Sequence, residues 1–252
     1  MKVKVIASGS KGNCTLIQTN KIKILIDIGI GYHQLASELE KINLEPQNID
    51  AILITHTHSD HIKGLQALAK KTNLKVYMLE EMEPELIKKI PENNLHLYSN
   101  PLMLEDLTIN LIRISHDVAG VGFIIEHNGH SLVYITDTGY INRKYIPLMK
   151  NKDLYIIESN HDEEMVMEGP YPYILKQRVL SDKGHLSNHT TAEYLLETVG
   201  NNTKQIILAH ISENNNTEEL ALNTTKDLLA ENNIYKPIIL AKQYEPLDEI
   251  EV

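Results

Sequence analysis

The chain of 252 residues is long enough to bury a substantial core and falls within the range of one α/β domain, so a single domain over residues 1–252 is expected. Hydrophobic content of 42% and charged content of 23% are ordinary for a globular protein, and no apolar run reaches the length that crosses a bilayer, which argues against a membrane protein. The formal net charge of −10 argues against an extended basic surface of the kind that grips nucleic acid regardless of sequence, so any such contact is expected to be local to a cleft.

The N-terminus, Met1-Lys2-Val3-Lys4-Val5-Ile6, alternates Lys with apolar residues and lacks the continuous apolar segment of an export signal, which suggests a cytoplasmic protein. Short β-branched runs at Lys2–Ala7, Thr15–Thr19, Ile22–Ile28, Ala51–Thr55 and Lys75–Met78 read as strands. Between them, Leu35, Leu39 and Ile42 form one helical stripe, and Ile62, Leu65, Leu68 and Ala69 form another. The single cysteine, Cys14, cannot make an internal disulfide and reads as a small packing residue.

Beyond a polar, Pro-marked stretch around Pro84–Pro101, a second strand series is expected at Leu107–Ile114, Val121–Glu126, Ser131–Thr136 and Leu154–Glu158. Helices near Tyr173–Leu180 and Thr190–Thr198, strand Gln205–Ala209, helix Thr217–Ala230 and strand Pro237–Lys242 complete the chain. Two strand-rich halves, each followed by helices, predict an α/β (α+β) fold: a four-layer αββα sandwich of two mixed sheets packed face to face, with helices outside.

The densest chemistry lies in Thr55-His56-Thr57-His58-Ser59-Asp60-His61, directly after an apolar strand. Alternate residues of an extended segment project to one side, so His56 and His58 are placed to share one ion, while Asp60 and His61, after the bend, reach a second. Later candidates lie where strands stop: His116 in Ser115-His116-Asp117, Asp137 in Thr136-Asp137-Thr138-Gly139, and His210 in Ala209-His210-Ile211-Ser212. Side chains at strand ends converge on a cleft while the sheet holds them rigidly. Asp137 is the natural bridge, since a carboxylate spans two ions and lowers their repulsion. The bland alternative treats each of these as a solvated loop residue.

With those positions filled, the chain resembles the metallo-β-lactamase superfamily, whose pattern is H-x-H-x-D-H followed by a strand-end His, an Asp and a C-terminal His. The resemblance also gives a place to Asp27, in Ile26-Asp27-Ile28-Gly29, as a residue that holds the site loop without touching metal. Four further segments look like the bacterial YycJ/WalJ group of exonucleases: Ala7-Ser8-Gly9-Ser10-Lys11-Gly12-Asn13-Cys14, Glu158-Ser159-Asn160-His161-Asp162, Gly184-His185-Leu186-Ser187-Asn188 and His210-Ile211-Ser212-Glu213-Asn214-Asn215. That resemblance implies metal-dependent DNA exonuclease activity, and through the related tRNase Z it points to Glu158 and His185 as catalytic. Neither a tRNase-type arm between Asp137 and Glu158 nor an inserted nuclease cap domain is present in the sequence.

These residues predict a phosphodiesterase holding two divalent ions, Mn or Zn with Fe as an alternative, on His56, His58, Asp60, His61, His116, Asp137 and His210. Asp60 also orients the attacking water, and His185, polarised by Glu158, donates a proton to the leaving oxygen. Substrate contacts are expected from Ser8, Ser10 and Asn13, in a small polar loop whose N–H groups approach a phosphate, and from His161, Ser187 and Asn188. A DNA partner bound at the cleft is the first reading. A hydrolase of a lactone, thioester or cyclic phosphodiester is the second, favoured by the acidic surface, and a non-enzymatic regulatory protein is the third.

Overall fold

The computed structural model describes residues 1–252. Strand pairing defines two seven-stranded mixed sheets. The first runs β14-β1-β2-β3-β4-β5-β6, with β1 at Lys2–Ala7, β2 at Cys14–Gln18, β3 at Lys23–Ile26, β4 at Ala51–Leu53, β5 at Lys75–Met78, β6 at Leu95–Leu97 and β14 at Ile250–Glu251. The second runs β13-β12-β11-β10-β9-β8-β7, with β7 at Leu102–Leu104, β8 at Leu107–Arg113, β9 at Val121–His127, β10 at His130–Ile135, β11 at Leu154–Glu158, β12 at Gln205–Ala209 and β13 at Ile238–Leu240. Nine α-helices lie between strands: α1 Tyr32–Glu40, α2 Ser59–Ile62, α3 Leu65–Lys71, α4 Glu83–Leu86, α5 Ile146–Met149, α6 Glu163–Glu168, α7 Tyr173–Val179, α8 Asn188–Thr198 and α9 Glu218–Glu231. No helix is long and apolar enough to cross a membrane.

The chain forms two compact units, one of Met1–Ile109, Val118–Val121 and Lys242–Val252, the other of Asn110–Asp117 and Gly122–Ala241. In the first, Leu16, Ile24, Leu25, Ile26, Ile52 and Leu53 are fully buried on the central strands. In the second, Ile135, Tyr155, Ile157, Ile206 and Leu208 pack with Leu195 and Leu229 from α8 and α9. The central strands of both sheets are parallel, β3 to β4 and β5 in one, β10 to β11 and β12 in the other. Their near-continuous apolar runs are what a sheet covered on both faces requires.

Most expected strands fall within a residue or two of these bounds, and the departures have local causes. The expected strand Ile22–Ile28 stops at Ile26, because Asp27 turns the chain with φ of 59°. The expected helix after the metal motif is two helices, α2 and α3. Gly64 separates them: its N–H goes to the Ile28 carbonyl at 2.9 Å, and a Cβ there would lie 2.2 Å from the Ile30 carbonyl oxygen. Inside the Pro84–Pro101 stretch, the three-residue β6 is too short to carry a period, and the two-residue β14, paired with Lys2 and Val3 of β1, is shorter still.

One close approach in the first unit sets the position of the motif. Gly29 donates its N–H to the Asn13 carbonyl at 2.7 Å, Asn13 donates its own to the Asp60 carbonyl at 2.8 Å, and Ile28 donates to the His61 carbonyl at 2.8 Å. A Cβ on Gly29 would lie 1.5 Å from the Asp60 carbonyl oxygen, a clash with backbone that no rotamer relieves. We expect Gly29→Ala to lower stability by about 1–3 kcal/mol, as overpacking does, and to weaken metal retention at the displaced Asp60–His61 turn. Thermal denaturation and metal content after dialysis measure both. An unchanged melting temperature would show that the turn moves freely.

Candidate metal centre

In the first unit the donors come from the ends of β3 and β4. These strands pair in parallel, Ile26 beside Leu53, so the residues that follow them leave the sheet side by side. Asp27 binds back with its N–H to the Leu53 carbonyl at 3.0 Å. Its carboxylate accepts from the Thr55 N–H at 2.8 Å, the Thr55 hydroxyl at 2.6 Å and His61 Nδ1 at 2.7 Å. Complete burial pushes the Asp27 carboxyl above its ordinary value, against the opposing pull of His61 and Thr55.

The Thr55 hydroxyl, having donated to Asp27, accepts from His56 Nδ1 at 3.1 Å. Asp27 thus fixes His61 directly and His56 through Thr55. With Nδ1 protonated in both rings, Nε2 is the basic nitrogen, the arrangement typical of a metal-binding imidazole. His56 Nε2 lies 3.1 Å from His58 Nδ1, and His61 Nε2 lies 3.4 Å from the Asp60 carboxylate. The motif therefore makes two pairs of converging donors, as its alternation predicts.

In the second unit, β10, β11 and β12 are parallel neighbours, with Ile135 beside Ile157 and Glu158 beside Ala209. Asp137, Glu158 and His210 consequently emerge together at the carboxyl ends of adjacent strands, where open α/β sheets place their sites. Asp137, Glu158, His185 and His210 bring donor atoms within 4.8 Å of one another. His210 Nε2 lies 3.4 Å from Asp137 Oδ1. His116, just after β8, bonds the Gly184 carbonyl through Nδ1 at 3.2 Å. A carbonyl only accepts, so that nitrogen carries the proton and Nε2 is again the basic one. Burial, partly offset by Asp137, holds the His116 imidazole below its ordinary value.

Glu158 does not belong with the ligands of this cluster. It is fully buried, and its two oxygens accept from His185 Nδ1 at 2.7 Å, His210 Nδ1 at 3.0 Å, the Thr138 N–H at 3.0 Å and the Leu186 N–H at 3.2 Å. Those four bonds use the lone pairs of a carboxylate. Burial alone would raise its pKa, but the His185 charge and the bonds from His185 and His210 outweigh it and hold the carboxyl down at about 2. Glu158 therefore orients two imidazoles at once. His185 keeps 21% of its side chain accessible, whereas Asp137, His210 and Glu158 keep 3% or less, so His185 is the member of this group that meets solvent.

Asp27, Asp137 and His210 all have left-handed backbones, with φ of 59°, 59° and 54°. Such conformations cost about 1–3 kcal/mol each in residues other than glycine and persist where the surroundings over-determine them. At these three strand ends the left-handed turn bends the side chain out of the strand direction.

Other expected residues have structural partners. Asn13 is fully buried: its Oδ1 accepts from the Gly9 N–H at 2.9 Å, and its Nδ2 lies 3.3 Å from Asp60 Oδ2 and 3.0 Å from His61 Nε2, so it braces the Ser8–Asn13 loop against the motif. Ser8 is buried and Ser10 exposed. His161 is buried, its imidazole lowered to about 4 by desolvation. Ser187 caps α8, accepting from the Thr190 N–H and donating to Glu163. Asn188 exchanges bonds with Asn216 and accepts from Ser159. Cys14 is buried, as expected of a packing residue, and burial pushes its thiol far up.

Sequence reasoning missed the relay residue Thr55 and the brace Asn160, whose Nδ2 donates to the His210 carbonyl at 2.9 Å. Both sit inside motifs that were recognised for their neighbours. Their signal is a hydroxyl or amide next to a ligand, which is not distinctive by itself.

The donor chemistry fits divalent metal. Four of the candidate ligand imidazoles, His56, His61, His116 and His210, are anchored at Nδ1, by Thr55, Asp27, Gly184 and Glu158, and two carboxylates stand beside the histidines. Residues 23–211 match the family model of the beta-lactamase superfamily domain.

The chain belongs to that superfamily.

Within it, the chain is 40% identical over 238 residues to Exodeoxyribonuclease WalJ of Streptococcus pneumoniae, covering 91% of this chain and 88% of that one. It is 38% identical over 234 residues to Exodeoxyribonuclease YycJ of Bacillus anthracis, covering 90% and 88%. The solved metallo-beta-lactamase fold protein YhfI from Bacillus subtilis matches with a TM-score of 0.75 at 20% identity over 99% of both chains. The expected fold class, mixed sheets with helices in the metallo-β-lactamase fold, is thereby borne out, as is the resemblance to the YycJ/WalJ group. The superfamily implies bound divalent metal.

Replacing Asp27 by Asn keeps an acceptor for Thr55 but removes the carboxylate beside His61 Nδ1. We expect metal affinity to fall roughly 10–100-fold, the usual cost of losing such a partner, measured by competition with a chelator. Wild-type affinity in Asp27→Asn would show that His61 needs no anchor.

Proposed function

We propose that the chain is a DNA exonuclease acting as one domain over residues 1–252, with two divalent ions, Mn or Zn, and a cytoplasmic DNA substrate held at the metal centre. The observation that carries this reading is the kinship with two exodeoxyribonucleases over nearly the whole chain. The ligands are His56, His58, Asp60, His61, His116, Asp137 and His210, a donor set whose buried anchors support metal binding. When bound, divalent ions supply an acidified water and stabilise charge on the phosphoryl oxygens.

The chain's own residues do the rest. Asp60, partly exposed beside His61, orients the water and takes its proton. His185, held at Nδ1 by Glu158, directs Nε2 outward to protonate the leaving oxygen of the nucleotide chain. Donation from Nε2 requires the doubly protonated ring; the Glu158 carboxylate stabilises that imidazolium through Nδ1 and fixes His210 with the same oxygen. Ser8 and Ser10 offer loop contacts to a phosphate, with Asn13 bracing that loop from within, and His161, Ser187 and Asn188 are the substrate contacts proposed from the second unit.

The net charge of −10 is the feature that favours a small-molecule ester instead, and one assay decides between the two. Metal-loaded protein is incubated with end-labelled DNA and RNA and product length is followed over time. Stepwise release of nucleotides from DNA ends supports the proposal. Intact termini together with hydrolysis of lactones or thioesters would replace it.

Elemental analysis should give about two ions per chain, and a saturated sample holding one would remove the bridging role of Asp137. Asp60→Ala should abolish hydrolysis. His185→Ala should slow it roughly 10²–10⁴-fold, the usual contribution of a proton donor, while metal content is unchanged. Wild-type turnover in His185→Ala would refute its assignment.

A further inference from the structure

Arg178, near the end of α7, donates from Nη2 to Asp117 Oδ2. Asp117 directly follows the expected ligand His116, and its other oxygen lies 3.4 Å from His116 Nε2, the basic nitrogen of that ring. One carboxylate therefore separates the guanidinium from a metal-facing atom. Neither Arg178 nor Asp117 has a part in the chemistry proposed for the centre.

Backbone contacts fix this arrangement, all of them within the second unit. The Arg178 and Val179 carbonyl oxygens pass so close to Gly184 that a Cβ there would lie 2.3 and 2.1 Å from them. The Gly184 carbonyl accepts from His116 Nδ1 at 3.2 Å, and the His185 N–H donates to the Val179 carbonyl at 3.1 Å. The Arg178 carbonyl accepts from the Ser181 N–H at 3.2 Å and the Ser181 hydroxyl at 2.8 Å, which closes the turn leading to His185. The backbone that carries Arg178 is thus the one that holds His116 and presents His185, so the guanidinium has a set place relative to both.

The Arg178 side chain nevertheless stays 54% accessible. Asp117 takes one N–H of the fork, and no other protein group accepts from the rest. Arg143, by contrast, gives both terminal nitrogens to Glu197. A planar guanidinium matches the oxygens of a phosphate two at a time, which a lysine ammonium does not. In the exonuclease reading the scissile phosphate sits at the ligand nitrogens. Arg178 lies one carboxylate farther out, so the phosphate within its reach is the next one along the strand. We propose that Arg178 binds the phosphate adjacent to the scissile one, with Asp117 holding the guanidinium in place. The inference rests on the exonuclease reading and deepens it: the substrate must carry two successive phosphates, which a polynucleotide has and a lactone, a thioester or a cyclic mononucleotide lacks. It also accounts for DNA binding by a chain of net charge −10, because the grip is local to the cleft.

The full-length, metal-loaded protein tests this with end-labelled duplex DNA and with bis(p-nitrophenyl) phosphate, which has no second phosphate. Arg178→Ala should raise KM for DNA roughly tenfold, as the loss of a hydrogen bond between charged groups does, with a smaller change in kcat. It should also flatten the dependence of log affinity on log salt by about 0.9, the contribution of one phosphate contact on duplex DNA. The loss should be larger on DNA than on the nitrophenyl ester. Arg178→Lys should restore the salt slope because the charge returns, while KM recovers only in part because the fork does not. The side chain is exposed, so folding should survive, and metal content and melting temperature verify it. If Arg178→Ala lowers the melting temperature but leaves the salt slope alone, Arg178 only ties α7 to Asp117 and the proposal is overturned. An equal loss on DNA and on the nitrophenyl ester would move Arg178 to the scissile phosphate and overturn the assignment to its neighbour. Wild-type protein that degrades DNA while Arg178→Ala keeps its KM and salt slope would overturn the contact and leave the exonuclease reading standing. Wild-type protein that degrades no DNA would sink the exonuclease reading and the contact with it.

Discussion

A carboxylate buried without partners is among the most costly groups a protein can hold, and this chain buries one at the carboxyl end of a strand in each of its units. Asp27 and Glu158 are both fully inaccessible, and each survives because backbone N–H groups and histidine Nδ1 atoms converge on it. The constraint runs both ways. The carboxylates need the donors, and the donors are thereby locked in one tautomer and one direction. His56, His61, His185 and His210 all take their orientation from these two residues, His56 through the Thr55 hydroxyl. Removing either carboxylate would do more than delete a charge, because it would release two imidazoles from the orientation it fixes.

The parallel strands explain why such an arrangement forms. Adjacent parallel strands end at the same edge, so residues far apart in sequence, such as Asp137, Glu158 and His210, leave the sheet together. The left-handed backbones of Asp27, Asp137 and His210 then turn each side chain out of the strand direction. That conformation costs energy at every one of the three positions, and the buried hydrogen bonds that follow it offset the cost.

Much of this was legible in the sequence because metal ligation leaves a dense, periodic mark. The alternation of His56 and His58 after an apolar run, and the bend to Asp60 and His61, report strand geometry and ligand chemistry in seven residues. His116, Asp137 and His210 stand out in the sequence by their place at strand ends, and the structure brings His210 within 3.4 Å of Asp137. The dual role of Glu158 was not legible, because a bond to His210 depends on the register of β11 against β12, which no local pattern encodes. The small polar loop suggests a phosphate contact at Asn13, yet its side chain is engaged in bracing Gly9, Asp60 and His61, an arrangement set by residues nearly fifty positions away. The break between α2 and α3 was hidden for a similar reason: Gly64 looks like a tolerated helix residue until the Ile28 and Ile30 carbonyls come close.

The central claim is that buried partners at Nδ1 present the opposite ring nitrogen to metal. Long-range ¹H–¹⁵N correlation spectra of the zinc-loaded, histidine-labelled protein test it directly, since they distinguish which ring nitrogen carries a proton and which binds metal. The account predicts His56, His61, His116 and His210 protonated at Nδ1 and metal-bound at Nε2, with only His58 coordinating through Nδ1. Metal at Nδ1 of His61 or His210, with the proton on Nε2, would contradict it, because Asp27 and Glu158 would then face a nitrogen with no proton to give.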